Sequence, residues 1–287
     1  MDYLSDWKVL SPAIIVASAV IFFILERFFP YDQGQKILRK GIFNDFVLYT
    51  LVQSYVLGLV INGFIAWLDG KTGASRLHLF SSYPLWAQML FFFVVHDFYI
   101  YWFHRLQHTS PIFWRLHEAH HSVEAVDFVA GSRSHALEIM VNQTIEFAPI
   151  VLLGAPPELA LMKGALDAVW GMYIHANLNV KAGRVQYVLN GPEGHRWHHS
   201  RHWRDHGFNF GTKLAIWDWL FGTLYLPPKK PEGYGLIDPH FPENYFLQQL
   251  FAFRRFGPKD FTKEWGKDPE WREDTPASDE VRAPARA

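Results

Sequence analysis

The chain has 287 residues, the length of one domain or two small ones, and its formal net charge is −1. That charge gives no electrostatic basis for binding nucleic acid. The absence of cysteine excludes disulfide bonds, iron–sulfur clusters and thiolate-bound haem. Any metal must be held by His, Asp, Glu or Asn, and most of the 15 histidines lie in 96–121 and 195–206.

Two apolar runs near the N-terminus predict membrane helices. Residues 12–25 and 46–68 carry no charged side chain, and about 20 apolar residues cross the hydrocarbon core of a bilayer. The first run is slightly short for a span. It is also a poor signal peptide, because its only A-x-A pattern lies in the middle of the run, at 17–19.

Further apolar segments follow. Residues 84–103 form a third candidate span, whose second half is rich in the aromatic residues typical of a membrane interface. Residues 139–155 and 158–178 predict a helical hairpin around the turn at 154–157. Glu146, Lys163 and Asp167 interrupt this hairpin. The sequence therefore predicts four to five membrane helices.

Basic residues predict the orientation in the membrane. The loop 27–43 holds four lysines and arginines, whereas the loop 69–83 holds two, and short basic loops stay in the cytoplasm. Both histidine-rich regions are then expected on the cytoplasmic face. The C-terminal residues APARA contain no retrieval signal for the endoplasmic reticulum, which favours a bacterial inner membrane; in a eukaryote the location would be the ER membrane.

Three histidine boxes follow: H-x-x-x-H at 104–108 and H-x-x-H-H at both 117–121 and 195–199. Residues three and four apart on a helix share a face, so each box is expected to direct its imidazoles to one place. Ser110-Pro111 and Asn190-Gly191-Pro192 predict new helices, each with proline in its first turn, before the two triplets. This set of spacings indicates a metal cluster.

The remaining histidines are assigned one by one. His175 and His135 lie at the two ends of the predicted hairpin, on the same side as the boxes. His96 and His202 are possible additional ligands. Three others are expected to be ordinary surface or hydrogen-bonded residues: His78, His206 and His240.

The number of histidines predicts two metals. The eight box histidines and His175 exceed the three or four ligands of one zinc ion, but they suit two metals with four or five nitrogens each. Imidazole alone does not distinguish iron from zinc, copper or nickel. The membrane setting favours iron, because lipids offer inert C–H bonds whose cleavage requires activated dioxygen.

The boxes, their order and their surroundings resemble the membrane-bound fatty acid hydroxylase / sterol desaturase superfamily. The resemblance runs from about residue 90 to 226, through HDFYIYWFHRLQH, LHEAHHS, SRSHALE, IHANLN, GPEGHRWHHSR and NFGTKLAIWDWLFGTLY. It implies a di-iron oxygenase that uses O2 to hydroxylate or desaturate a lipid. The implied iron ligands are His104, His108, His117, His120, His121, His175, His195, His198 and His199.

The resemblance also implies an external electron donor of the ferredoxin, cytochrome b5 or flavin reductase type. The chain agrees, since it has no G-x-G-x-x-G motif of its own. Some family hydroxylases carry a histidine four residues after the position of His175, where this chain has Asn179 as a possible tenth ligand. The substrate stays open among sterols, fatty acyl chains, ether lipids and carotenoids.

Carboxylates behind metal ligands commonly orient the imidazoles. Five are candidates for this role: Asp97, Glu118, Glu138, Glu193 and Asp218. The expected fold is an all-α integral membrane bundle with a cytoplasmic, histidine-lined helical cap that holds a di-metal site. Its regions are N-terminal transmembrane helices in 1–83, a catalytic domain in 84–226, and a polar, partly disordered extension in 227–287.

Two alternatives use fewer of the histidines. His117, Glu118 and His121 match the H-E-x-x-H motif of zinc proteases, with Glu118 as general base. The supporting Leu68-Asp69-Gly70 precedes this motif instead of following it, and the third box would have no role. A metal carrier or bis-histidine haem protein is the other alternative, but haem needs only two histidines.

Overall fold

The computed structural model describes residues 6–201, 207–237 and 240–257. Within these ranges the regular secondary structure consists of helices, joined by loops. Strand-like pairing is limited to isolated bridges, such as that between Pro30 and Leu178. The predicted all-α class is thereby confirmed. His202, His206 and the polar C-terminal tail, for which disorder was predicted, lie outside the described residues.

The two N-terminal apolar runs form long helices. Helix α1 spans Trp7–Phe28, so it extends beyond the predicted run at both ends. The second run begins as a π-helix, Asn44–Gln53, and continues as α2, Ser54–Thr72. By length and composition both helices could cross a membrane, and most of their residues are not buried by the protein.

The first two boxes lie on consecutive helices. Helix α3, Leu85–Thr109, continues through the predicted third span and the first box without a break. Helix α4, Pro111–His121, carries the second box and begins at the predicted proline. Ser110 occupies the cap position in an extended conformation, although its hydroxyl makes no capping hydrogen bond.

The predicted hairpin consists of α5, Ala136–Leu152, and α6, Pro157–His175. Gly154 forms the turn with a φ of +75°, and a Cβ there would lie 2.6 Å from the Ser75 carbonyl oxygen. This helical hairpin is confirmed, while its passage through a membrane stays a prediction. The hairpin packs against α1, α2 and α3, which places the C-terminus of α6 beside the boxes.

Three short helices complete the described chain: α7, Pro192–His198; α8, Ile216–Leu220; and α9, Tyr245–Phe251. Helix α7 carries the third box and begins at the predicted proline, with Gly191 as its cap. The side-chain amide of Asn190 donates instead to the Gly211 carbonyl oxygen, at 2.5 Å. This bond ties the start of α7 to the segment that precedes α8.

A buried set of ion pairs fixes the chain that follows α4. Arg39 pairs with both Asp45 and Asp127, and Arg133 Nε lies 2.6 Å from Asp45 Oδ1. Buried charges are tolerated only when paired and hydrogen-bonded, so these contacts define one backbone path here. The path matters for the site because the carbonyl group of Arg133 meets a box histidine.

Candidate metal centre

Nine histidines converge at one end of the bundle, on α3, α4, α6 and α7 and the residue after α7. They are His104, His108, His117, His120, His121, His175, His195, His198 and His199. None is more than 7% exposed. These are the nine residues that the sequence predicts as ligands.

The nine imidazoles form two groups, and within each group the nitrogens lie within 4.8 Å of one another. The five-histidine group consists of His104, His108, His117, His121 and His198. The four-histidine group consists of His120, His175, His195 and His199. Each triplet is therefore shared between the groups and not directed to one place, because adjacent helical residues point about 100° apart.

Backbone and carboxylate oxygens fix the orientation of five imidazoles through Nδ1. The pairs are His104 with the Phe210 carbonyl (2.8 Å), His117 with Glu138 Oε1 (2.9 Å), His120 with the Arg133 carbonyl (2.9 Å), His175 with the Gly171 carbonyl (2.8 Å) and His198 with the Phe208 carbonyl (2.8 Å). A carbonyl oxygen only accepts, so the rings that meet one carry their proton on Nδ1. Their Nε2 lone pairs remain available for a metal.

The geometry of one pair tests whether a cation fits. His120 Nε2 and His175 Nε2 lie 3.3 Å apart, and both Nδ1 atoms already donate to carbonyl groups. Two lone pairs therefore face each other, an arrangement that a cation between them would stabilise. Two nitrogens about 2.1 Å from one ion are roughly 3.0–3.4 Å apart. His195 Nε2 lies 2.8 Å from that of His175 and 3.1 Å from that of His199.

Burial keeps these rings neutral. Loss of solvent, reinforced by neighbouring imidazoles, lowers the pKa of His117 to about 3 and that of His120 to about 4. Neutral imidazole is the form that binds a metal. His198 Nε2 finds no hydrogen-bond partner among the described residues, as expected for a nitrogen that a cation would satisfy. The donor set therefore fits two metal ions.

Two of the five candidate carboxylates support the imidazoles. Glu138 accepts the His117 hydrogen bond directly. Asp218 accepts from the backbone N–H groups of Phe210 and Gly211, both at 2.8 Å. It therefore holds the peptide whose carbonyl group meets His104. Burial raises the pKa of Asp218 to about 7.

The other three carboxylates have different partners. Asp97 accepts from the Thr212 hydroxyl, two backbone N–H groups and the Trp217 indole, so it organises the 212–217 segment. Arg254 donates to both oxygens of Glu118, at 2.6 and 2.7 Å. Glu118 is also the general base that the protease alternative requires, and here both of its oxygens are engaged by Arg254. Glu193 is half-buried in the first turn of α7.

Three possible additional ligands lie elsewhere. His135 caps α5, accepting from the Leu137 N–H at Nδ1 and donating from Nε2 to the Gln249 carbonyl oxygen. Asn179 is exposed; because α6 ends at His175, a residue four positions later no longer shares its helical face. His96 belongs to a separate group with Glu146 and Asp167.

Gly131 contributes to the site although no sequence motif marks it. A Cβ at this position would lie 2.7 Å from His175 Nδ1 and 3.1 Å from the Gly171 carbonyl oxygen. Only glycine lets this backbone approach the imidazole so closely. The signal available in the sequence was a glycine within the segment 130–132, between the second box and the hairpin, although nothing there identified its partner.

The imidazoles border a cavity of about 230 Å³ between α3, α5 and α6, where they are joined by side chains such as Ile100, Ile139 and Trp170. A larger cavity of about 600 Å³ lies between Arg39, Arg201 and Phe241, and no box histidine lines it. The smaller cavity is therefore the space next to the chemistry.

Two groups of buried imidazoles that could each hold a metal ion, on a helical bundle with two helices long and apolar enough to cross a membrane, define the class of this protein. Residues 89–223 match the model of the fatty acid hydroxylase family. The predicted resemblance to the fatty acid hydroxylase / sterol desaturase superfamily is thereby confirmed.

Its relatives are named for lipid oxidation. An ornithine lipid hydroxylase of Rhizobium tropici is 28% identical over 262 residues, which cover 89% of this chain and 78% of that protein. The human alkylglycerol monooxygenase is 33% identical, over 50% of this chain and 32% of that protein. Methylsterol monooxygenase 2-2 of Arabidopsis thaliana is 28% identical, over 50% of this chain and 56% of that protein. These are oxidoreductases, and no solved structure matches the chain.

Proposed function

We propose that the protein is a membrane-bound di-iron oxygenase that hydroxylates, or desaturates, a C–H bond of a lipid with O2. The observation that carries this proposal is the presence of two buried histidine groups. In the four-histidine group, the Nε2 lone pairs of His120 and His175 face each other across 3.3 Å. The lipid hydroxylase and monooxygenase names of the relatives support the reaction class.

The five-histidine group would hold one iron and the four-histidine group the other. When bound, such a pair of irons supplies the redox chemistry with O2 that side chains alone lack. The protein holds the ligands in place: Glu138 and the carbonyl groups of Phe208, Phe210, Arg133 and Gly171 fix the rings through Nδ1. Such outer contacts set the ring orientation and raise its basicity.

The surroundings suit a lipid substrate. The cavity beside the imidazoles lies between helices that pack on α1 and α2, the two helices able to cross a membrane. Burial of all nine rings keeps bulk water from the reacting C–H bond. The protein would lie in a bacterial inner membrane with its histidines on the cytoplasmic face, within reach of a ferredoxin, cytochrome b5 or flavin reductase that supplies electrons.

Lipid mass spectrometry of cells with and without the gene tests the proposal. Hydroxylation adds 16 mass units to a lipid and desaturation removes 2, and we expect one of these shifts. Cells that make the His195→Ala variant are the matched control, because this change removes one ligand of the four-histidine group. Unchanged lipids in cells whose wild-type protein carries two irons would contradict the enzymatic function.

A further inference from the structure

The cavity next to the histidines has a second, charged end. His104, His117, His120, His175 and His195 line one part of it, while His96, Glu146, Asp167 and Lys213 line another. Three helices each contribute one residue to the charged end and another, eight positions away, to the histidine-lined end. On α3 these are His96 and His104, on α5 Glu146 and Glu138, and on α6 Asp167 and His175. Eight helical residues rise about 12 Å, so the cavity connects two layers of polar groups about that far apart.

The charged end is not a third metal site. Lys163 is fully buried, and its ammonium donates to Glu146 and Asp167 and lies 3.3 Å from His96 Nδ1. The ammonium therefore stands where the three ligand atoms of a metal would converge. An ammonium has three N–H donors, and these three contacts use all of them.

The Lys163 contact determines the state of His96. An ammonium only donates, so Nδ1 of His96 is the acceptor and the ring proton lies on Nε2. The His96 side chain is 10% exposed. Its Nε2 is buried and finds no hydrogen-bond partner among the described residues. A buried N–H donor without an acceptor is costly, which indicates that a ligand supplies the acceptor.

We propose that His96 binds an oxygen atom in the polar group of the lipid substrate. This inference rests on the proposed function and names the substrate class: a lipid that places a hydroxyl, carbonyl or carboxylate oxygen in the cavity. Lys213 also lines the cavity and is a second possible donor to this oxygen; its ammonium lies 2.9 Å from Asp167 Oδ1. A purely structural role, in which the ion pairs join α3, α5 and α6, would explain neither the adjoining cavity nor the His96 Nε2–H group that has no acceptor among the described residues.

The spacing limits where the substrate reacts. An extended chain advances roughly 1.2 Å per bond, so it needs about ten bonds to span about 12 Å. The oxidised carbon therefore lies several bonds away from the polar oxygen that His96 holds. A carbon next to the polar oxygen is too close to it to reach the histidines.

The experiment expresses the full chain in a host grown under ¹⁸O2 and locates the change in the product lipid by tandem mass spectrometry. We expect the new oxygen, or the new double bond, several bonds away from a polar oxygen of the lipid and not next to it. His96→Phe keeps a ring but removes the N–H donor, and it should lower the product about tenfold. His96→Gln keeps an N–H donor and should retain most of the product. Iron content and the amount of membrane protein are measured for each variant.

Oxidation of a carbon next to the lipid's polar oxygen, or equal product from His96→Phe and wild type, would overturn this role of His96. The position of the new oxygen in the wild-type product tests the inference even where a variant fails to fold. If iron-loaded wild type modifies no lipid, the proposed function fails, and the substrate class fails with it.

Discussion

Replacing Gly131 by alanine should displace the imidazole of His175 and weaken metal binding by the four-histidine group. The new Cβ would lie 2.7 Å from Nδ1, whereas ordinary contact begins at 3.4 Å, so the ring must retreat by about 0.7 Å. Metal–ligand distances tolerate only about 0.2 Å. The ring also cannot turn freely, since Nδ1 donates to Gly171 at 2.8 Å and Nε2 lies 2.8 Å from that of His195.

Loss of an outer contact typically lowers metal affinity about 10–100-fold. After dialysis against a chelator, the iron content of Gly131→Ala, measured by plasma mass spectrometry, should fall from about two toward one per chain. Gly164→Ala is the matched control on α6, because its Cβ meets only Phe147, at 3.6 Å. A Gly131→Ala protein with the full iron content of wild type would refute the argument.

Three further outcomes follow from the same contacts. Glu138→Gln removes the charge that faces His117 Nδ1 and should weaken the iron of the five-histidine group about tenfold in a chelator competition; wild-type affinity would contradict this. Glu118→Gln should keep both irons and lipid oxidation, whereas His195→Ala should lose them; the reverse pattern would favour the protease alternative. The pKa values of His117 and His120, about 3 and about 4, lie below the ordinary histidine pKa of 6.5, so unfolding takes up protons below pH 6.5. The metal-free protein should therefore be fully stable above pH 6.5 and lose stability toward pH 4; a rise in its melting temperature on acidification would contradict this.

The helices were predictable because local signals define them. The apolar runs at 12–25 and 46–68 became α1 and the helical segment Asn44–Thr72. The prolines at 111 and 192 begin α4 and α7, as their fixed φ favours. The nine predicted ligands also meet in space, because three- and four-residue spacings bring imidazoles to neighbouring positions on a helix.

The division into two groups was not predictable, because it depends on how α4 and α7 are turned relative to α3 and α6. Spacing alone could not separate His120 from its neighbour His121. Asn179 lies off the helical face of His175 because α6 ends at His175, a boundary that no proline marks. The carbonyl groups that orient His104 and His175 belong to Phe210 and Gly171, and a backbone oxygen leaves no trace in residue identity.

Metal quantitation on the purified full-length protein, combined with its absorption spectrum, tests the central claim most directly. We expect two irons per chain and no haem absorption band, with iron lost when His120 or His121 is replaced by alanine. A single zinc per chain, a haem band, or two irons that persist in both alanine variants would contradict a di-iron centre built from the two histidine groups.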